Sequence, residues 1–254
     1  MSSSSFECFG LVIHGLDWDR VKERFAQSVA RSERTWIVTA NPEILLEAKR
    51  NPNYWQVLRQ ADLRLVDGFG LKLVGWLLGS SPARLTGVDL CDHLLDEAES
   101  RNWLVAFLGG EQGEGDKAAW NQRERHPKLR VITETGGKVN PDGTGDAAND
   151  EAIHRLTLQA PDILFVAYGH PKQEAWIARN ADAFPSVKIV VGVGGTFNYW
   201  SGQASRAPKA VRSLGLEWLW RLIHEPSRWK RIWNAVIVFP LTVLKDRLSS
   251  TPKS

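Results

Sequence analysis

An aspartate that directly follows a short apolar run is the first candidate for chemistry in this sequence. Asp67 comes after the run LRLV and precedes two glycines in the stretch DGFG. A carboxylate at the end of a strand is placed to act as a general base. The alternative is an Asx turn that opens a helix at Phe69, because aspartate before glycine is a frequent turn former. Spacing alone favours the turn.

A second candidate group lies at the end of the run TWIVTA. Thr39 and Asn41 stand two residues apart, so both can face one side as a strand gives way to a helix, where they can donate hydrogen bonds to sugar hydroxyls. The alternative is a helix cap, because asparagine followed by proline, here Pro42, is a typical start signal. Spacing alone favours the cap.

A glycine run follows a third apolar stretch. Gly192, Gly194 and Gly195 belong to GVGG, whose backbone amides could hold a diphosphate at the start of a helix. The dinucleotide pattern GxGxxG fails because Phe197 takes the place of its last glycine, and the sequence contains no GxxxxGK[ST] motif. The sequence therefore supports neither a Rossmann dehydrogenase nor a P-loop enzyme.

Two aspartates match the DxD signature of metal-dependent sugar transferases. Asp17 and Asp19 open an amphipathic segment, however, where acids are expected in the first helical turn, and this second interpretation is favoured. The six histidines form no HxxH or HExxH set. Cys8 and Cys91 lack CxxC spacing and are interpreted as packing residues in a reducing compartment. No metal and no cofactor is therefore expected.

Seven short apolar runs, separated by segments of helical period, must position these groups. The runs are almost continuously apolar, which indicates a mostly parallel, Rossmann-like α/β sheet with helices on both faces. They are GLVI near residue 11, TWIVTA, LRLVD, WLVAFLGG, LRVITET, DILFVAYG and VKIVVGVG. In such a sheet, ligands bind beyond the carboxyl ends of the strands. We therefore expect the site at four strand ends, around residues 39–41, 67, 169–174 and 192–196.

The chain has 254 residues and a net charge of +3, which suits one large domain with an appendage. From residue 206 onward, ten Lys and Arg stand against three Asp and Glu, so the preceding residues are net acidic. We predict an α/β domain over residues 1–205 and a basic, Trp-rich helical appendage over residues 206–254. No signal-type segment opens the chain and no run of about 18 apolar residues occurs, so we expect a cytoplasmic protein.

The appendage combines arginine and tryptophan in a pattern that suits a lipid phosphate. Arg221, Arg228 and Arg231 stand close to four tryptophans. The alternative is an ordinary amphipathic helix with a solvated basic face. The segment from Ile232 to Leu244 is too short to span a membrane and too apolar to lie free in solvent, so it either packs on the body or lies in a bilayer surface. The basic residues on both sides of it favour the bilayer surface.

Taken in order, six blocks of the sequence resemble the WecG/TagA/CpsF family, glycosyltransferase family 26. The blocks are TANPEILLEAKRN, ADLRLVDGFGL, RLTGVDL, DILFVAYGHPKQEAWI, VVGVGGTFNYWSGQASRAP and LGLEWLWRLIHEPSRWKR, and the match extends from about residue 10 to residue 233. PKQE and LGLEWLWRL with EPSRW are the most specific. The resemblance implies bacterial enzymes that move a sugar from a UDP-sugar to a polyprenyl-diphosphate-linked sugar at the inner membrane face, inverting the anomeric centre without a metal.

The resemblance also implies roles for individual residues. Asp67 matches the family's proposed catalytic base, and Arg84 in RLTG falls where a site arginine is expected. His170 and Asn198 stand where the family often has a small residue and an acid, which leaves the identity of the sugar open. Three further residues match sugar-pocket positions of the family: Thr39, Asn41 and Gln173. Three others match tail arginines that would close over the site and bind diphosphate: Arg221, Arg228 and Arg231.

We therefore expect a metal-independent, inverting glycosyltransferase, peripheral on the inner face of the cell membrane, in cell-surface polysaccharide or teichoic-acid-type biosynthesis. Its expected partners are a UDP-sugar donor, a polyprenyl-diphosphate-linked sugar acceptor and the membrane surface, with no nucleic acid. The sequence does not decide whether the donor sugar is N-acetylmannosamine, glucose or a uronic acid relative. It also leaves open whether the protein forms a homo-oligomer. The alternatives are a UDP-sugar epimerase or dehydrogenase, which the failed GxGxxG disfavours, and a lipid-phosphate-binding adaptor without chemistry, which Asp67 disfavours.

Overall fold

The computed structural model describes residues 4–208, 211, 217–224 and 229–250, and of residues 217, 218, 221, 224 and 250 it describes the backbone alone. Its centre is a sheet of eight strands in the order β1-β2-β4-β3-β8-β7-β5-β6. All neighbouring strands pair in parallel except β1 and β2, which form an antiparallel hairpin. The strands are β1 (Ser5–Cys8), β2 (Leu11–His14), β3 (Thr35–Ala40), β4 (Leu63–Val66), β5 (Leu104–Gly109), β6 (Arg130–Glu134), β7 (Ile163–Ala167) and β8 (Ile189–Gly192).

This sheet confirms the predicted fold class. All seven apolar runs form strands, and TWIVTA is β3 from its first residue to its last. The sequence interpretation missed β1, which begins at the last residue of a serine run and alternates between the core and the surface, with Phe6 and Cys8 buried and Glu7 exposed. A short strand at the antiparallel edge lacks the continuous apolar signal that marks the central strands.

From β2 onward, helices lie between successive strands, and they cover both faces of the sheet. Asp17 caps α1, because its Oδ1 accepts a hydrogen bond from the Arg20 N–H at 3.1 Å, which confirms the favoured interpretation of the DxD pair. Thr86 caps α5 in the same way. The helices of this part of the chain are α1 (Trp18–Ala30), α2 (Pro42–Arg50), α3 (Pro52–Arg59), α4 (Phe69–Leu77), α5 (Gly87–Arg101), α6 (Glu114–Arg125), α7 (Ala147–Gln159), α8 (Lys172–Asn180) and α9 (Thr196–Trp200).

The core consists of two buried clusters, one on each face of the sheet. Along β3, Trp36, Val38 and Ala40 belong to one cluster, whereas Ile37 belongs to the other. Because successive residues of a strand point to opposite faces, a strand that is covered on both faces must be apolar at nearly every position. Every residue of β3 is buried, which explains the unbroken apolar run in the sequence.

The described part of the tail comprises α10 (Glu217–His224), α11 (Trp229–Trp233), a π-helical turn (Asn234–Val238) and α12 (Phe239–Ser250). Two of its side chains, Phe239 and Val243, are buried in the same cluster as the β1-β2 hairpin, and the rings of Phe9 and Phe239 meet edge to face at 6.1 Å. The turn lies so close to α4 that a Cβ atom on Gly70 would be 2.2 Å from the carbonyl oxygen of Ala235.

The segment from Ile232 to Leu244 therefore packs on the body through one side. Its other side is exposed and apolar, with Trp233 and Leu241 both more than half accessible. Packing on the body, one of the two sequence-based alternatives, is therefore confirmed for this segment. Contact with a bilayer surface, the favoured alternative, stays a prediction. Within the described residues, the helices are too short or too polar to cross a membrane. The predicted boundary between residues 1–205 and 206–254 stays a prediction.

Candidate active site

The ends of three neighbouring strands meet at the centre of the sheet. β3 lies between β4 and β8, with Ala40 in register with Val66 and Val38 in register with Gly192. The chain passes from β3 to β4 on one side, whereas it reaches β8 from β7 on the other. Such a switch point is where open α/β sheets bind ligands. The sequence-predicted groups that follow β3, β4, β7 and β8 therefore lie at one edge of the sheet.

Asp67 is fixed by its backbone next to the end of β3, since its N–H donates to the Ala40 carbonyl at 2.8 Å. Gly68 then takes φ 86° and ψ 156°, a conformation that is open almost only to glycine. Helix α4 begins at Phe69 without a capping side chain. The favoured interpretation of Asp67 as the residue that opens this helix is therefore wrong, because Gly68 makes the turn. Its role as a base stays a prediction.

Arg84 belongs to a loop that runs beside the same strand end. The Leu85 N–H donates to the Val66 carbonyl at 3.1 Å, and the Ala83 N–H donates to the Gly15 carbonyl at 3.1 Å. These two bonds hold the loop against the chain that leaves β2 and against the last residue of β4. The backbone thus places Arg84 beside the residue that precedes the candidate base.

Thr39 and Asn41 flank the junction between β3 and α2. The Oδ1 atom of Asn41 accepts hydrogen bonds from the N–H groups of Glu43 and Ile44, both at 3.0 Å, so the helix-cap interpretation is confirmed. The cap uses the side-chain oxygen and leaves the hydrogens of Nδ2 for another acceptor. Thr39 is nearly buried, and a Cβ atom on Gly87 would lie 3.3 Å from its Oγ1, so the start of α5 lies directly against it.

Gln173 belongs to a buried chain of hydrogen bonds at the start of α8. Its Oε1 atom accepts from the Gly194 N–H at 3.0 Å, and its Nε2 atom donates to Oε1 of Glu174 at 2.7 Å. The other oxygen of Glu174 accepts from the Tyr54 hydroxyl at 2.9 Å. Burial raises the pKa of Glu174, and hydrogen bonds to its carboxylate oppose this effect in part. Both atoms of the Gln173 amide are thus held by the protein.

The glycines of GVGG have distinct structural tasks. Gly192 pairs with both β3 and β7, and a Cβ atom on it would lie 2.7 Å from Nε2 of Gln173. The Gly194 N–H already has a protein acceptor in Gln173, while Gly195 precedes the five-residue helix α9. Binding of a diphosphate by these amides stays a prediction. The structure explains Gly192 more simply, because any larger residue would displace the Gln173 amide.

A polar cluster around the start of α5 was missed by sequence reasoning. Arg206 donates from Nη2 to Oδ1 of Asp89 at 2.7 Å and to Oγ1 of Thr86 at 3.1 Å. The Cys91 thiol is buried in the same region, where burial raises its pKa and the charge of Asp67 adds a smaller increase. Asp67 therefore lies near enough to the start of α5 for its charge to act on Cys91. The sequence did contain a signal for this cluster, because Thr86 and Arg206 lie in RLTG and SGQASRAP, two of the stretches that resemble the family.

Of the three tail arginines, the structure describes the side chain of Arg231 alone. Arg231 forms a bidentate ion pair with Glu43, at 2.5 Å from Nε and 2.6 Å from Nη2. Glu43 lies in the first turn of α2, and its Oε2 is 3.9 Å from Nε2 of His170. Arg231 therefore reaches the edge of the sheet where the candidate residues lie. Arg221 belongs to α10, where its side chain is not described, and Arg228 lies outside the described residues.

This arrangement combines a carboxylate, a hydroxyl and two carboxamides at one edge of the sheet, with Arg84 and Arg231 nearby. Short polar groups of this kind bind a ligand with several hydroxyl groups, and the carboxylate can accept a proton from one of them. The protein-family sequence model described as "Glycosyl transferase WecG/TagA/CpsF family" matches residues 6–253 of the chain. The chain belongs to this family.

Two relatives of this WecG/TagA/CpsF chain have the same name, N-acetylglucosaminyldiphosphoundecaprenol N-acetyl-beta-D-mannosaminyltransferase. The chain is 33% identical to the protein from Bacillus spizizenii over 223 residues, which cover 87% of the chain and 84% of the relative. It is 32% identical to the protein from Staphylococcus aureus strain MRSA252 over 215 residues, which cover 84% of the chain and 80% of the relative. Both alignments span most of either protein.

Two residues near Gln173, Glu174 and Tyr54, had no individual role assigned to them from the sequence, although Glu174 lies within the expected range 169–174. Glu174 is the last residue of PKQE, so the sequence did contain a signal for it. Tyr54 lies on α3, 120 positions earlier in the chain, and no sequence pattern connects it to PKQE. A contact of this kind becomes visible only when the fold brings α3 and α8 together.

Proposed function

We propose that this protein is an inverting glycosyltransferase that moves N-acetylmannosamine from a UDP-sugar to N-acetylglucosamine linked to undecaprenyl diphosphate. The names of the two relatives support the acceptor and the transferred sugar. The observation that most supports the chemistry is the position of Asp67 at the carboxyl end of β4, tied to the end of β3 by its backbone. Thr39 lies near the end of β3, and Gln173, in the first turn of α8, accepts a hydrogen bond from Gly194 just after β8.

In the proposed reaction, Asp67 accepts the proton of the acceptor hydroxyl while the hydroxyl oxygen attacks the anomeric carbon of the donor. The new carbon–oxygen bond forms on the face opposite the diphosphate, and the old bond breaks with its electron pair leaving on UDP. A single in-line displacement inverts the anomeric centre and requires only one base. Thr39, Asn41 and Gln173 orient the sugar by hydrogen bonds.

The departing UDP carries the developing negative charge, and arginine side chains are proposed to stabilise it. Guanidinium groups form paired, charge-assisted hydrogen bonds with phosphate oxygens. Arg84 lies beside the end of β4, and Arg231 reaches α2. The proposal therefore assigns no step to a metal ion.

The tail is proposed to place the protein on the inner surface of the cell membrane. Its exposed apolar residues recur every three or four positions, so they lie along one side of the helical segment. The tail is also basic and rich in tryptophan, which suits an anionic bilayer surface. The residues of this side are Trp229, Trp233, Ile237, Leu241, Leu244 and Leu248.

The test is a transfer assay with the purified full-length chain. It combines UDP-N-acetylmannosamine or other UDP-sugars with a short-chain prenyl-diphosphate N-acetylglucosamine, and it measures UDP release and the mass and anomeric configuration of the product. We expect a β-linked disaccharide product with UDP-N-acetylmannosamine, and equal turnover in excess EDTA. A retained α-configuration, or turnover that EDTA abolishes and Mg²⁺ or Mn²⁺ restores, would contradict the mechanism. No product with any donor would contradict the function.

A further inference from the structure

Glu174 is a buried acidic residue hydrogen-bonded to Gln173, which is proposed to contact the sugar. Its side chain is buried, and no ion pair among the described residues involves it. An ionised carboxylate loses a large hydration energy on burial, so it is retained only where hydrogen bonds compensate. Its two compensating bonds come from the Tyr54 hydroxyl and from Nε2 of Gln173. Both partners are themselves buried.

The chemistry of these partners fixes the orientation of the Gln173 amide. A carboxylate accepts hydrogen bonds and donates none, so the side of Gln173 that faces Glu174 must be its NH₂ group. The amide oxygen is thereby turned towards the Gly194 N–H, which also requires an acceptor. A neutral carboxamide at position 174 could form a hydrogen bond with the Gln173 amide in either orientation. The negative charge therefore reinforces the orientation that the Gly194 N–H also favours, because a flipped amide would turn its oxygen towards the carboxylate and its NH₂ group towards a donor.

We infer that Glu174, held by Tyr54, is the positioning residue that fixes the Gln173 amide for recognition of the transferred sugar. This inference rests on the proposed function, in which Gln173 contacts the sugar. Within the described residues, only one of the two Nε2 hydrogens has a protein acceptor, so the second is available to a sugar oxygen. With the amide flipped, the same position would present an oxygen, which repels an acceptor.

The kinetic test is Glu174→Gln in the full-length protein. We expect kcat/KM for transfer to fall about tenfold, the effect of losing roughly one well-oriented hydrogen bond. In the Gln173→Ala background, Glu174→Gln should lower kcat/KM by less than about twofold, because a residue that acts through Gln173 has nothing left to orient. An equal fall in both backgrounds would overturn the inference. Glu114→Gln, at another buried glutamate, is the matched control and should change kcat/KM by less than about twofold.

A second readout does not depend on activity. The hydrogen exchange rate of the Gly194 amide, measured by NMR, reports its bond to Oε1 of Gln173. We expect this rate to rise about tenfold in Glu174→Gln and less in Tyr54→Phe, which removes only one of the two bonds to Glu174. An unchanged Gly194 rate in both variants would overturn the inference even if the protein transferred no sugar. If Glu174→Gln fails to fold, Tyr54→Phe alone decides, and it must raise the rate.

Discussion

The sheet-end site and the C-terminal tail are held in place by different kinds of contact. At the site, Gln173 and Glu174 are buried and joined by hydrogen bonds whose donors and acceptors all belong to the body. In the tail, Phe239 is buried in the core, but the ion pair between Arg231 and Glu43 is exposed on the Arg231 side. Among the described tail residues, Trp229, Trp233 and Leu241 are more than half exposed.

Because their contacts differ, the two regions should respond to different changes in conditions. Buried hydrogen bonds are little affected by salt, whereas exposed ion pairs are screened and contribute modestly. The tail should therefore be easier to displace than the site, and it should respond to ionic strength and to a lipid surface that covers its exposed side. The site should respond chiefly to substitutions that change its internal hydrogen bonds or its space.

The largest expected effect is on the attachment of the tail. Phe239→Ala should lower the free energy of unfolding, measured in urea, by about 3–5 kcal/mol, because it removes a fully buried ring and leaves a cavity. Leu241→Ala, two residues away and 61% exposed, is the control and should change it by less than about 0.5 kcal/mol. Equal small losses in both variants would mean that the tail is not an integral part of the core.

The next effect concerns the candidate base. Asp67→Asn should lower kcat about a hundredfold or more and leave the affinity for the UDP-sugar nearly unchanged, because the carboxylate acts on the proton that moves in the transition state. Turnover is measured by UDP release, and affinity by calorimetry with an unreactive donor analogue. Near-normal turnover in this variant would show that Asp67 is not the catalytic base.

The strands of the body follow closely from the sequence, and the physical reason is visible in β3. A strand that is buried on both faces needs apolar residues at nearly every position, and this local requirement leaves a local signal. The edge strand β1 has no such requirement, and it was missed. The tail segment was assigned to a single environment because periodicity alone does not show that Phe239 and Val243 point inward while Leu241 points outward.

Those site residues that lie close to the carboxyl ends of strands could be predicted from the sequence, and Thr39, Asp67 and Gln173 are examples. The sequence did not reveal that Gly68, rather than the aspartate, makes the turn at α4, because both residues favour turns. Nor did it reveal that Gly192 makes room for a side chain from α8. A contact between residues that are far apart in the chain leaves no recognisable residue spacing in the sequence.

A third prediction tests the outward side of the tail. Replacing Trp229 and Trp233 by serine should weaken binding to anionic liposomes about tenfold or more, because two large apolar side chains no longer enter the interface. Sedimentation with vesicles measures the bound fraction. Trp120→Ser, at an exposed tryptophan of the body, should leave binding unchanged. Equal binding by all three proteins would show that the exposed side of the tail does not contact lipid.

A smaller effect should follow from filling the space beside Gln173. Gly192→Ala places a methyl group 2.7 Å from Nε2, so the amide must move. We expect kcat/KM to fall about tenfold, which matches the lower part of the usual cost of overpacking. Gly115→Ala, whose Cβ would lie 3.7 Å from its nearest neighbour, should change kcat/KM by less than about twofold. Full activity in Gly192→Ala would show that the position of this amide is unimportant.

The smallest effect is expected at the contact between the two regions. Glu43→Gln removes the charge that pairs with Arg231, and it should lower the free energy of unfolding by less than about 1 kcal/mol because the arginine is largely exposed. The difference between this variant and the original protein should shrink further between about 50 mM and 500 mM salt as screening increases. Its effect on turnover should be measured at both salt concentrations. If Arg231 must leave Glu43 to bind diphosphate, Glu43→Gln should lower KM for the lipid-linked acceptor at low salt, whereas a purely structural ion pair would leave KM unchanged.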